Sequence, residues 1–212
     1  MPQDGFETSM EWREQKPASV TTLDALLPEF RTTATRAYAQ GYLALREQAG
    51  GALPSKTGLD MGRMVKAIPH FALVAVTFGD GCVYRLTGEA LQERIGFNPV
   101  GRNYYDFVPE PRRAYAARAM EMAVRLPCGF RALVQQNYDD GATRTVETLG
   151  LPLAGREPGI DGYILFADQA LPDPVTYSAP SKRWLGADIV RRDLIDLGFG
   201  VDPDFVDRVR AD

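Results

Sequence analysis

The 212-residue chain has little of several things that announce a function. It has two cysteines, Cys82 and Cys128, too few for a disulfide-stapled secreted scaffold and 46 positions apart, so no CxxC pair exists for a structural zinc. It has one histidine, His70, which excludes most His-based metal sites. It has no excess of positive charge: 24 basic against 28 acidic residues give a net charge of −4, unlike a protein that grips nucleic acid through its phosphates. It has no long apolar run: Phe71 to Val76 is far short of the roughly 20 residues of a membrane span, and the polar, acidic N-terminus does not read as a signal peptide. Phosphate-loop, GxSxG and HExxH patterns are missing. These absences lead to the expectation of a cytoplasmic protein with free thiols, no nucleic-acid or membrane partner, no metal and no catalytic residues.

What is present is an ordinary globular composition, 45% hydrophobic and 25% charged. Charge divides the chain. Residues 1–53 carry five basic and seven acidic residues, residues 54–171 thirteen of each, and residues 172–212 six and eight. The neutral middle holds the β-branched runs and reads as the folded core. The divisions expected are a flexible tail (1–19), an N-terminal helical extension (20–52), a core domain (53–171) and a C-terminal helical extension (172–212).

In the first extension Leu23, Leu27, Phe30, Ala34, Ala37, Gly41 and Leu45 recur at spacings of three and four, widened by Tyr38 and Tyr42. Thr21 with Asp24 resembles a capping box, and Pro28 suits the first turn of the main helix. The stripe either packs on the chain's own core or forms a partner or homodimer interface through Leu23, Leu27, Phe30, Tyr38 and Leu45. In the last extension Trp184, Leu185, Ile189, Leu194 and Leu197 are spaced as in a helix. Asp202-Pro203 then reads as the start of a second short one. This segment is expected to dock on the core or on a partner.

The core reads as a short helix (Leu59 to Ala67), then a hairpin, Phe71 to Phe78 and Cys82 to Thr87, around Gly79-Asp80-Gly81. A short helix closed by Gly96 follows, then a turn at Tyr104 and a long helix opened by Pro111 and stopped by Pro127. A second hairpin joins Gly129–Tyr138 to Arg144–Leu153, with Pro152 suggesting a strand end or edge. The last strand is Gly162–Ala167. The order β-β-α-α-α-β-β-β describes an α+β fold, a five-stranded antiparallel sheet with helices on one face, flanked by N- and C-terminal helices.

That order resembles the PAS domain. The local pieces Leu53-Pro54-Ser55-Lys56, Tyr84-Arg85-Leu86-Thr87-Gly88, Val100-Gly101-Arg102 and Glu147-Thr148-Leu149-Gly150-Leu151-Pro152-Leu153-Ala154 are similar to a large bacterial family of largely stand-alone PAS proteins. The resemblance covers roughly residues 53–169. It implies a non-catalytic signalling module that acts through contacts with other signalling proteins and can sense a small apolar ligand. Tyr115, Ala119 and Met122 on the long helix and Phe130, Val134 and Leu149 on the sheet are the pocket candidates, and they suit a filled core equally well.

Haem PAS proteins place a histidine on the long helix, and blue-light sensors place a cysteine in an NCRFLQ segment. Neither is here, so haem and flavin are not expected. The alternative is an enzyme acting on a small apolar molecule, marked by charges converging near His70, Arg85 or Asp106.

Overall fold

The computed structural model describes residues 19–108, 110–139, 141–155, 157–172 and 184–202. The tail expected over 1–19, apart from Ser19, and the short helix expected from Asp202-Pro203 lie outside the described residues.

The chain opens with strand β1 (Ser19–Thr22), helix α1 (Leu23–Leu26) and a 3₁₀ turn (Leu27–Glu29) before helix α2 (Thr33–Gln48). Strands β2 (Phe71–Thr77) and β3 (Gly81–Thr87) form the first hairpin, followed by helix α3 (Glu89–Ile95) and the long helix α4 (Glu110–Arg125). Strands β4 (Cys128–Tyr138), β5 (Thr143–Leu153), β6 (Gly162–Ala170) and β7 (Trp184–Asp196) complete the order. Gly79 and Gly141 take positive φ, 74° and 79°, in the two hairpin turns, where a Cβ would be strained.

All seven strands share one sheet in the order β1-β7-β4-β5-β6-β2-β3. The block β3-β2-β6-β5-β4 is antiparallel, with α3 and α4 between its second and third strands in the chain. This is the layout the resemblance implies. Two strands are added to it: β7 runs antiparallel along β4, and β1 runs parallel to β7 at the edge.

Four expectations are corrected. First, the C-terminal extension is a strand, not a helix. Val190 is an extra residue where the β4–β7 register shifts, so the inward positions Ala187, Ile189, Arg192 and Leu194 lose their two-residue alternation and imitate helical spacing. Second, helices cover both faces of the sheet. Strand side chains alternate, so Leu149, Leu151 and Leu165 face α2, while Phe130, Ile164 and Phe166 face α4.

Third, the main N-terminal helix begins at Thr33, with Pro28 in the preceding 3₁₀ turn. Thr22 caps α1 by accepting from the Ala25 N–H, and the Thr32 hydroxyl caps α2 by accepting from the Thr35 N–H. Fourth, the helix expected from Leu59 to Ala67 is replaced by a 3₁₀ turn, Met61–Met64, with further 3₁₀ turns on either side at Lys56–Gly58 and Ile68–His70.

Because β1 and β7 belong to the central sheet and α2 covers one face, the expected divisions at 52/53 and 171/172 do not separate folding units among the described residues. Tyr38 and Tyr42 anchor α2 by donating to the Leu165 and Pro152 carbonyls at 2.9 and 2.7 Å. Pro152 sits inside β5 beyond Gly150, where the ladder to β4 ends, so its missing N–H costs no bond to that strand.

A cavity between the long helix and the sheet

Helix α4 turns Ala116, Ala119, Met120 and Ala123 toward the sheet, and the facing strand positions include Ala72, Val74, Ala132 and Thr148. The alanines on both sides leave the space between helix and sheet unfilled. The result is a cavity of about 170 Å3. Part of its wall is aromatic: Tyr84 meets Phe107 and Tyr104, tilted or edge to face, at centroid distances of 6.3 Å, and Phe130 meets Phe166 at 5.6 Å. Burial pushes the Tyr104 hydroxyl up to about 12 and the Tyr84 hydroxyl well above its ordinary value.

A polar row crosses the cavity floor. In the strand register Arg192 on β7 stands beside Ala132 on β4, Ala132 beside Thr148 on β5, and Thr148 beside Asp168 on β6. All four line the cavity. Arg192 and Asp168 are thus three strand spacings of about 4.8 Å apart, about 14 Å in all. Asp168 accepts from the Arg94 guanidinium at 2.8 Å and from the Thr148 hydroxyl at 2.7 Å. At the other end Arg192 donates to the Tyr115 hydroxyl, and Arg112 pairs with Asp188 at 2.9 Å.

Of the six pocket candidates, the structure brings Tyr115, Ala119, Phe130 and Val134 to the cavity wall. Met122 lies instead on the flank of α4, in a shallow groove with Val201. Leu149 is one position out of phase along β5 and is buried on the α2 side. The interface candidates Leu23, Phe30, Tyr38 and Leu45 are buried in this chain's own core, and Leu27 packs against it. The stripe that suggested a partner helix is therefore the contact between the N-terminal segment and its own sheet.

Arg85 and Asp106 are exposed and His70 lies outside the lining, so the three marker positions do not converge in the cavity. Cys82 and Cys128 are buried free thiols, both pushed up to about 12 chiefly by burial. Neither lines the cavity. Arg112 of α4 also lines the cavity. Arg192, Asp168, Thr148 and Gln136 were missed. A carboxylate within the apolar run Gly162–Ala170 was the one signal in the sequence that pointed to any of them.

His70 sits behind Asp168, its Nδ1 buried without a partner among the described residues. Burial lowers its pKa below 6.5 and Arg94 lowers it further, with Asp168 opposing in part. The fold therefore favours neutral imidazole. Its contribution to stability is present above pH 6.5 and is lost as pH falls through the lowered native value. As the one histidine, its imidazole signals in an NMR titration are expected to report a midpoint below 6.5, and His70→Gln to reduce the acid-side loss of stability. A midpoint at or above 6.5 would contradict this.

Among the described residues no helix is long and apolar enough to cross a membrane, and no group of His, Cys, Asp and Glu is placed to hold a metal ion. No protein-family model and no curated protein matches the chain. Solved structures similar to it include the PAS-B domain of Drosophila melanogaster Cycle with bound ethylene glycol (14% identity, 47% of this chain and 98% of that one, TM-score 0.35). Also similar are the Rhodobacter sphaeroides LOV protein (17% identity, 49% and 60%, TM-score 0.36) and the Vibrio cholerae VqmA dimer (20% identity, 54% and 53%, TM-score 0.36).

Proposed function

We propose that this chain is a non-catalytic PAS-type sensory module that takes a small, largely apolar ligand between α4 and the sheet. It passes the occupancy of that cavity to a protein partner. The observation that carries the reading is the cavity itself: about 170 Å3 left unfilled beside the alanines of α4 and lined in part by aromatic rings. Strand β7 supplies part of the lining, through Ala187, Ile189 and Arg192. A ligand would thus touch both the core and the C-terminal strand, the side from which a signal can leave. Haem and flavin are not part of this reading, because the thiols are buried away from the cavity and His70 is outside it.

Native mass spectrometry of freshly purified full-length protein tests it. A co-purified small molecule, or binding of added toluene, is expected in the wild type and lost in Ala119→Trp, which fills the cavity. The same preparation is expected to show no visible haem or flavin band. A wild type that takes up no apolar probe, or an Ala119→Trp protein that binds as well as wild type, would overturn the reading.

A further inference from the structure

The cavity has an unbalanced charge. Three other arginines that reach the interior are each met by a carboxylate: Arg94 by Asp168 at 2.8 Å, Arg112 by Asp188 at 2.9 Å, and Arg131 by Glu147 at 2.7 Å and Asp193 at 3.2 Å. Arg192 is not. Among the described residues no carboxylate pairs with it; it donates to the Tyr115 hydroxyl and lies over the Tyr115 ring at 5.1 Å. Its Nε is buried with no hydrogen-bond partner among the described residues. Arg192 is half-buried at the cavity wall, and a guanidinium drawn partly out of water with no carboxylate beside it bears a desolvation cost that a neutral hydroxyl offsets only in part. Burial pushes the Arg192 pKa down, Tyr115 and Tyr104 offset part of this, and the charge on Arg112 adds to it.

We infer that the ligand is a small organic monocarboxylate, with an aromatic or short aliphatic body against the aromatic wall and its carboxylate on the Arg192 guanidinium. This rests on the cavity reading proposed above and names the chemistry that would fill it. A planar carboxylate matches the two-pronged geometry of a guanidinium, and Tyr115 stands beside it as a second donor. The far end of the floor favours one acid group rather than two. Asp168 stands there, paired with Arg94 and hydrogen-bonded by the Thr148 hydroxyl, so an acid group at that end would meet a like charge. Arg192 belongs to β7, outside the five-stranded block, so the anchor ties the ligand to the C-terminal strand.

Full-length protein would be titrated by calorimetry with two matched pairs: phenylacetate against phenylacetamide, and octanoate against octanamide. Each amide keeps the shape and loses the charge. The acid of a pair is expected to bind about tenfold or more tightly than its amide. Arg192→Met is expected to abolish that preference while retaining amide binding, and Arg192→Lys to keep part of it. Ligand-free Arg192→Met is also expected to melt at a higher temperature than wild type, since a half-buried cation with no carboxylate beside it has been replaced by an apolar chain. A guanidinium serving only the fold would give a lower Tm.

Equal binding of acid and amide to the wild type overturns the inference without any variant. So does an acid preference that survives in Arg192→Met, or a Tm of that variant below wild type. If acids and amides bind equally and Ala119→Trp blocks both, the cavity reading stands and the anion assignment falls. If no probe binds the wild type, both fall.

Discussion

Glu147→Leu is expected to destabilise the protein by about 3–5 kcal/mol in urea denaturation, the range for breaking a buried ion pair from one side. Glu147, Arg131 and Asp193 are 0%, 2% and 2% exposed. Glu147 Oε1 accepts from Arg131 Nη2 at 2.7 Å and Nε at 2.9 Å, and Arg131 Nη1 donates to Asp193 at 3.2 Å. The second carboxylate oxygen accepts from the Arg31 and Thr32 N–H groups, both at 2.9 Å, and from the Thr35 hydroxyl at 2.7 Å. One buried carboxylate thus neutralises the sheet arginine and satisfies backbone donors at the start of α2.

The leucine variant strands Arg131 Nε and the Arg31 and Thr32 N–H groups, while Arg131 keeps Asp193 and the Glu29 carbonyl. Replacing Arg131, Glu147 and Asp193 together by Met, Leu and Leu removes the charges along with their need for partners. That triple variant is expected to be more stable than Glu147→Leu alone. A loss under about 1 kcal/mol in the single variant would show that Glu147 does not hold α2 to the sheet.

The same carboxylate explains where the sequence was readable. The Glu147-Thr148-Leu149-Gly150 run marked the strand correctly, because alternation and turn glycines are local signals. It could not show that Glu147 caps a helix 112 to 116 positions away, and so the start of α2 was placed at Pro28 rather than Thr33. Both hairpins and α4 were legible for the same local reason. The face of β5 that lines the cavity was not. A strand buried on both sides shows apolar residues at successive positions, and Leu149 was therefore assigned to the wrong side. Met122 was misplaced because the inward face of α4 is drawn by alanines, which carry almost no hydrophobic signal. Arg192 was hidden by the Val190 bulge, which gave a strand the spacing of a helix.

Gly88→Ala is expected to cost about 3 kcal/mol, at the upper end of overpacking penalties. Gly88 closes the Tyr84-Arg85-Leu86-Thr87-Gly88 run and caps α3 with φ −74°, a conformation open to any residue, so backbone freedom is not the reason for glycine here. Space is. A Cβ would stand 2.3 Å from the Pro69 carbonyl oxygen and 2.4 Å from that of Ile68. Both are backbone atoms in the Ile68–His70 turn, and the Gly88 N–H is itself held by the Phe71 carbonyl at 2.7 Å. Neither side can give without moving α3, which carries Arg94 to Asp168 on the cavity floor.

Gly150→Ala is the contrasting case. Its Cβ would meet Phe130 Cζ at 2.7 Å and Phe166 Cε1 at 2.9 Å, the far ends of rings that can swing into the cavity. Its cost is expected nearer 1 kcal/mol, with weakened ligand uptake as the cavity shrinks. Urea melts of the two alanine variants separate backbone from side-chain crowding. If Gly88→Ala came within about 0.5 kcal/mol of wild type, the close approach of α3 to the Ile68–His70 turn would not be a constraint on the fold.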